Sequence, residues 1–315
     1  MRAIVVRIPE YDALRGGTAV IERPDRGVVR LDGADRKSFL QGVLTNDVLA
    51  LEPGGGCYAA MLTPQGRMIA DMNVFDAGGF VLLDVAREQA ASIASRFDHS
   101  IFSEDVSVRE ATAEFGRFAL AGPRAGEATA AVAAGIPGVR SFANPAWPIP
   151  VFELFCDPGA EEPLRAAFRA AGAVEAGREE VEAVRIEEGV PLFGVDMDDD
   201  TIPLEAGIEG RAISFTKGCY VGQEVIVRVL HRGHGRVARK LVRLEIDVAS
   251  DRNLPPVGTP LVAEGREVGK LTSVAWSPRL GKGVALGYVH RDFASPGARF
   301  DNMSISSASA GGSSS

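Results

Sequence analysis

The sequence is short of the groups on which much enzyme chemistry rests. It has three cysteines, Cys57, Cys156 and Cys219, and four histidines in 315 residues. The cysteines are far apart and form no C-x-x-C pair, so neither a disulfide framework nor a zinc site is signalled. Three free thiols suit a reducing compartment. No apolar run is long enough to span a bilayer; "VFELFCD" and "MLTPQGRMIA" are typical, each broken by charge or a turn. "MRAIVVRIPEYDA" lacks a small-residue cleavage site, which predicts no signal peptide and a cytoplasmic protein without membrane contact. G-x-G-x-x-G, H-E-x-x-H and G-x-S-x-G are all absent, and "EPGGGCY" has no Lys-Ser or Lys-Thr after its glycines, so it is not a phosphate loop. Positive charge is also scarce: the net charge is -8, against a broadly basic nucleic-acid surface.

What is present is an ordinary globular mix, 46% hydrophobic and 24% charged, with enough chain for two or three compact units. "TAVIERPDRGVVRLDG" has two β-rich runs around Pro-Asp-Arg-Gly and predicts a hairpin. "GADRKSFLQGVLTNDV" follows as a helix, with Asp35 as candidate N-cap and Phe39, Leu40, Val43 and Leu44 as its stripe. Three strands come next, turning at Pro64-Gln65-Gly66 and Ala77-Gly78-Gly79, and then the helix "REQAASIASRF". From residue 106 strands and helices alternate again. Beyond residue 240 short strands joined by Gly and Pro turns predict a small all-β barrel or sandwich. "SISSASAGGSSS" predicts a disordered tail.

The most informative stretch is "SFTKGCYVGQEVI". Val221, Val225 and Val229, with Ile226 and Leu230, make one helical face, with Gln223 and Glu224 in the first turn. Cys219 then falls at or just before a helix N-terminus, beside Lys217, an environment that favours thiolate. The alternative is a small residue filling a turn. Downstream, Arg228, His231, Arg232, His234, Arg236, Arg239, Lys240 and Arg243 form a basic cluster. It reads either as an anion or RNA site or as a solvated strand.

"KGCYVGQE" resembles the signature of the YgfZ-type folate-binding proteins, relatives of the glycine-cleavage T-protein, an aminomethyltransferase. "GADRKSFLQGVLTNDVLALEPG", "LTPQGRMIADMNVF", "RIEEGVPLFGVDMDDDTIPLEAGI" and "GKLTSVAWSPRLGKGVALGYV" resemble further blocks of that superfamily. The resemblance implies an α+β, three-domain ring. Residues 1–105 with 180–238 would form a first folate-binding α/β unit and 106–179 a second. A C-terminal β-barrel would cover 239–303, leaving a disordered tail at 304–315. It also implies tetrahydrofolate or a derivative as ligand, with Glu153, Arg185, Tyr220, Gln223 and Arg228 at the folate site and Cys219 and Lys217 as the catalytic pair. The implied role is auxiliary: supporting assembly or repair of iron–sulfur enzymes, including tRNA-modifying ones, with those clients or their assembly factors as partners and RNA as a weaker one. Stable clusters take about four thiolates, so one cysteine implies a transient ligand or a mixed disulfide.

Two departures bear on the rival reading, a folate-dependent one-carbon transferase or demethylase. The T-protein aspartate that activates the folate amine aligns with Ala70. Because strand side chains alternate, Asp71 is expected on the opposite face. A pterin-side arginine of T-proteins aligns with Val181. The resemblance therefore implies no glycine-cleavage aminomethyltransferase activity.

Overall fold

The structure, a computed structural model, describes residues 6–231 and 236–306. In chain order, α1 (Ile8–Gly16), β1 (Ala19–Glu22), β2 (Arg26–Asp32) and α2 (Arg36–Val43) lead into β3 (Gly56–Leu62), β4 (Met68–Asp76), β5 (Val81–Ala86) and α3 (Ala90–Asp98). β6 (Ser107–Glu110), β7 (Gly116–Ala121), α4 (Ala125–Ala133), β8 (Val139–Ala143), β9 (Val151–Cys156), α5 (Glu161–Ala170), β10 (Val174–Glu175) and α6 (Arg178–Glu187) follow. Two single turns, α7 (Pro203–Ala206) and α8 (Glu209–Ala212), precede α9 (Gln223–His231). The remaining strands are β11 (Arg239–Ile246), β12 (Pro260–Ala263), β13 (Arg266–Ser277), β14 (Lys282–His290), β15 (Arg299–Phe300) and β16 (Met303–Ile305).

These strands make three sheets. The first has the order β3-β4-β5-β2-β6 and the second β10-β1-β7-β9-β8. The third, β12-β13-β14-β11-β16-β15, is a nearly closed antiparallel barrel whose edge strands β12 and β15 approach each other. Strand alternation gives each of the first two sheets two apolar faces. On the first sheet, Leu31, Met72 and Leu83 pack under Phe39 and Leu40 of α2 and Ile93 and Phe97 of α3. On the second, Leu120 and Leu154 pack under Val132 of α4 and Leu164 and Phe168 of α5. The other two faces meet: Val28, Phe75 and Leu82 of the first sheet join Phe142 and Phe155 of the second, with Phe75 and Phe142 stacked at 4.8 Å. α6 fills the angle between the second sheet and the barrel, setting Val184 and Ile186 in one cluster with Ala119, Val151, Leu241 and Leu286.

Three boundary expectations change. β1 and β2 are not a hairpin: β1 pairs with β7 and β10, and β2 with β5 and β6. The chain crosses between sheets at the Pro-Asp-Arg-Gly turn, which places α1 and β1 with the second unit. β6 extends the first sheet to Glu110, past the expected limit at 105. β16 continues the barrel to Ile305, past 303, while 307–315 lie outside the described residues.

Two glycines bring α9 onto the β3–β4 turn. Gly66 has φ +76°, and a Cβ there would lie 2.9 Å from Val225 of α9; Gly222 has φ +85°, and a Cβ there would lie 2.6 Å from the Thr63 carbonyl. A side chain at either position would be strained and would push the helix away.

Candidate functional site

Where the first two sheets face each other, polar side chains replace the apolar ones. Asp71, Asn73 and Asp84 project from β4 and β5, and Arg117 and Glu153 from β7 and β9, all buried. Their position on β4 depends on an irregularity. The β3–β4 register shifts between Met61 and Leu62, so Met61 pairs with Ala70 but Leu62 with Met68. A bulge of this kind resets which residues face which side. Ala70 therefore lies in the aliphatic core under α2 and α3, beside Met72 and Val74. Asp71 points into the polar interior and accepts a 2.7 Å hydrogen bond from the Tyr58 hydroxyl. This bears on the expectation from alignment: the Ala70 side chain faces the core, whereas the Asp71 carboxyl faces the polar interior.

Charge is arranged around two carboxylates. Asp84 receives Arg26 through Nε at 3.1 and 3.2 Å and Nη2 at 2.9 Å, Arg117 Nη2 at 2.7 Å and Asn73 Nδ2 at 3.0 Å. Burial alone would raise its carboxyl, but Arg26 and Arg117 outweigh it and hold Asp84 well below the usual carboxylate range. Glu153 receives Arg23 Nη1 at 3.0 Å, Asn144 Nδ2 at 2.9 Å and Arg117 Nη2 at 3.2 Å. Asp71 behaves oppositely: burial pushes its carboxyl up, and Arg26 and the Tyr58 hydroxyl only partly pull it back. Burial also raises the Tyr58 phenol well above its ordinary value, so it remains a donor.

Next to this cluster is a small apolar recess, with Arg23, Trp147, Val151, Val181 and Val184 in its wall. Val181, the departure from a T-protein arginine, helps make this wall apolar.

The other sequence-predicted residues fall in different places. Arg185 is fully engaged in structure: its five N–H groups bond Glu182 twice, the Val190 carbonyl, Asp196 and Ser273, tying α6 to the barrel. No donor remains for a ligand, so its assignment to the folate site is corrected. Lys217 does not sit beside the Cys219 thiol as an activating cation. Its Nζ donates to the carbonyls of Gln41, Leu44 and Asn46 at 2.6, 2.7 and 2.9 Å, and burial lowers its ammonium to about 8. It is a cap on the end of α2 and the following loop. Cys219 is exposed and precedes a turn at 221–222; α9 begins only at Gln223, so the thiol is not at the helix N-terminus. Gln223 braces that turn, its Oε1 accepting from the Tyr220 amide at 3.4 Å. The Tyr220 ring is buried in the cluster that also holds Tyr58, Leu62 and Met68. Arg228 is exposed on α9. The basic cluster is divided: Arg239 bonds Glu205 at 3.2 Å and lies over Tyr288, and Arg243 bonds the Glu187 carbonyl and Ser306. Arg232 and His234 lie outside the described residues.

Sequence reasoning missed Asp71, Tyr58, Asn73, Asp84, Arg26 and Arg117. A signal was available: in "VLLDVA" and "GRFALA" one polar residue, and in "IADMNVF" two, interrupt a strand that is otherwise apolar. Such a residue is buried only when paired.

Residues 4–137 match the GCVT N-terminal domain and residues 239–304 the glycine cleavage T-protein C-terminal barrel domain. An aminomethyltransferase of Desulforamulus reducens is 29% identical, over 94% of this chain and 85% of that protein. A putative chloroplastic transferase of Arabidopsis thaliana is 28% identical, over 91% of this chain and 68% of that protein. The crystal structure of the glycine cleavage system aminomethyltransferase T from Bartonella henselae superposes with a TM-score of 0.82 at 19% identity, covering 95% of this chain and 88% of that one. Among the described residues no helix is long and apolar enough to cross a membrane. With both domains matched and the fold shared along its length, the chain carries GcvT N-terminal and C-terminal barrel domains on an aminomethyltransferase-like fold; proteins of the GcvT family bind tetrahydrofolate.

Proposed function

We propose that the protein binds tetrahydrofolate between its first two sheets and carries out one-carbon transfer of the aminomethyltransferase type. The observation that carries this is Asp71: a buried carboxyl on the inner face of β4, held by Tyr58 and shifted toward its protonated form. The cluster fits a reduced pterin. Glu153 offers buried carboxylate oxygens, Arg117 Nε and Nη1 and Asn73 Oδ1 are buried without partners, and the adjacent recess is apolar. When bound, tetrahydrofolate supplies the amine that takes up the one-carbon unit. Asp71 holds or passes a proton at its carboxyl oxygens, Tyr58 fixes the rotamer of that carboxyl, and the apolar wall excludes water. The expectation of no aminomethyltransferase activity rested on Ala70, which faces the core, and so loses its basis. Calorimetry with tetrahydrofolate tests the reading. Saturable binding is expected, weakened by Glu153→Ala; no heat at millimolar ligand would reject it.

A second reading is favoured by Cys219. The thiol stands exposed on a loop anchored by Lys217 and Tyr220, within the "KGCYVGQE" that resembles the YgfZ signature. On this reading the protein is a cytoplasmic, tetrahydrofolate-binding factor that supports iron–sulfur enzymes through Cys219. A limiting alkylating reagent at neutral pH should label Cys219 first. Burial pushes Cys57 up to about 12 and Cys156 up to about 11, leaving little thiolate at either. Cys219→Ser should fold yet fail to restore iron–sulfur enzyme activity in a deletion strain. Full restoration would make the thiol a structural residue.

A further inference from the structure

The connection between β8 and β9, residues 144–150 ("NPAWPIP"), is tied down at its ends and hardly at all in its middle. The Asn144 amide donates to the Val151 carbonyl at 2.8 Å, and the Pro150 carbonyl accepts from the Gly122 amide at 3.0 Å. Between these ends, among the described residues, only the Ala146 amide has a partner, the Asn144 Oδ1 at 2.9 Å. Pro145, Pro148 and Pro150 have no N–H to give. A single hydrogen bond reaches the segment from elsewhere in the fold: Arg211 Nη1, on α8, donates to the Ala146 carbonyl. The remaining hold is apolar. Trp147 and Ile149 stand in the wall of the recess with Leu14 of α1 and Val181 of α6.

Arg211 is poorly satisfied in this arrangement. Its Nε is buried with no partner, and burial lowers the guanidinium from its ordinary value. Closure therefore buries Trp147 and Ile149 while keeping a charged donor from water, and these opposing effects are of similar size. A segment held by such a balance, with no backbone ladder of its own, opens more readily than the sheets that flank it. We propose that residues 144–150 are a hinged strap, closed over the recess and latched by Arg211, that swings out about Asn144 and Pro150 to admit the apolar part of a ligand. The hinge is also wired to the buried cluster. Asn144 Nδ2 donates to Glu153 Oε1 at 2.9 Å while its Oδ1 holds the Ala146 amide, so the position of the strap and the bonding of Glu153 change together.

Trp147 reports on the strap directly. The chain has two tryptophans, and Trp276→Phe in the barrel strand β13 leaves Trp147 alone. Fluorine NMR of this protein labelled with fluorotryptophan, without any ligand, should show relaxation dispersion on the microsecond-to-millisecond scale of loop opening. Arg211→Met keeps the apolar stem and removes the latch. It should raise the open-to-closed ratio roughly 10-fold, as for loss of a hydrogen bond from a charged donor, and should increase acrylamide quenching of Trp147 in step. Arg211→Lys, which keeps a donor, should return both readings toward those of the parent. A parent resonance free of dispersion would overturn the strap, and an Arg211→Met protein with the parent's dispersion and quenching would overturn the latch. The parent carries no change in the strap or in α8, so failure of Arg211→Met to fold cannot decide the outcome.

Discussion

Asp71→Asn should lower folate-dependent one-carbon transfer by roughly 10²–10⁴-fold, the usual cost of removing a positioned acid–base group. Asparagine keeps the size of the side chain and can still accept from the Tyr58 hydroxyl, but it can neither hold nor release the proton. Stability should move the other way. A carboxyl whose folded-state pKa is raised above its unfolded value is ionised at neutral pH against the preference of its site. A neutral amide removes that penalty, so the melting temperature should stay level or rise. Activity lost without stability lost is the signature of a residue retained for function. The acidic limb of the wild-type rate profile should also lie above the ordinary aspartate value of about 3.9. Single-turnover measurement of methylene-group transfer to tetrahydrofolate reads the rate, and calorimetric unfolding reads the stability. A variant with wild-type turnover would remove Asp71 from the chemistry.

Asp84→Ala should have the largest effect on stability. It would strip the anion from Arg26, Arg117 and Asn73 at once, and breaking a buried pair in this way costs about 3–5 kcal/mol, a large share of a total near 5–15 kcal/mol. The pH dependence follows from the sign of the shift. The folded-state pKa of Asp84 is depressed, so its contribution is fully present above the unfolded value of about 3.9 and is lost as pH falls through the lower folded value. Urea unfolding at pH 7 should show the full difference between wild type and variant. Titration below about pH 4 should narrow it, because the wild type loses the interaction that the variant already lacks. A variant within 1 kcal/mol of wild type at pH 7 would mean that the arginines find other partners.

Much of the architecture was legible wherever partners are close in sequence. The β3–β4–β5 meander announces itself through two glycine turns, α9 through its valine stripe, and the barrel through strands without helix pattern. Failures came where geometry is decided elsewhere in the chain. The turn at Pro24 and Asp25 looks like a hairpin, but the partners of β1 are β7 and β10, far along the sequence, and no local signal gives them. At Ala70 and Asp71 the rule of alternation was sound. The bulge one step earlier changed its phase, and that bulge depends on the pairing with Met61 and Leu62. Lys217 lies two residues from Cys219, but neighbours in sequence need not point the same way, and three carbonyls near α2 claim the ammonium. Glu153, expected at the folate site, is buried in the interior. Its partners Arg23, Arg117 and Asn144 were not foreseen, since pairing between two facing sheets leaves no spacing pattern.

The path of β1 also bears on how the nascent chain acquires its shape. Everything needed for the first sheet lies within one unbroken stretch, from Arg26 to Glu110, and can close as soon as that stretch is released. β1 emerges before it, yet Ala19 must wait for Ala121 on one side and Val174 on the other. At translation rates of about 5–20 residues per second, that wait is on the order of ten seconds. Until Ala121 emerges "AVIE" is an unpaired strand, and until Val174 it keeps one open edge, the kind of segment that chaperones hold and that neighbouring chains on a polysome can capture. Synthesis that slows between Gly122 and Val174 would lengthen this exposure without altering a single contact of the finished protein.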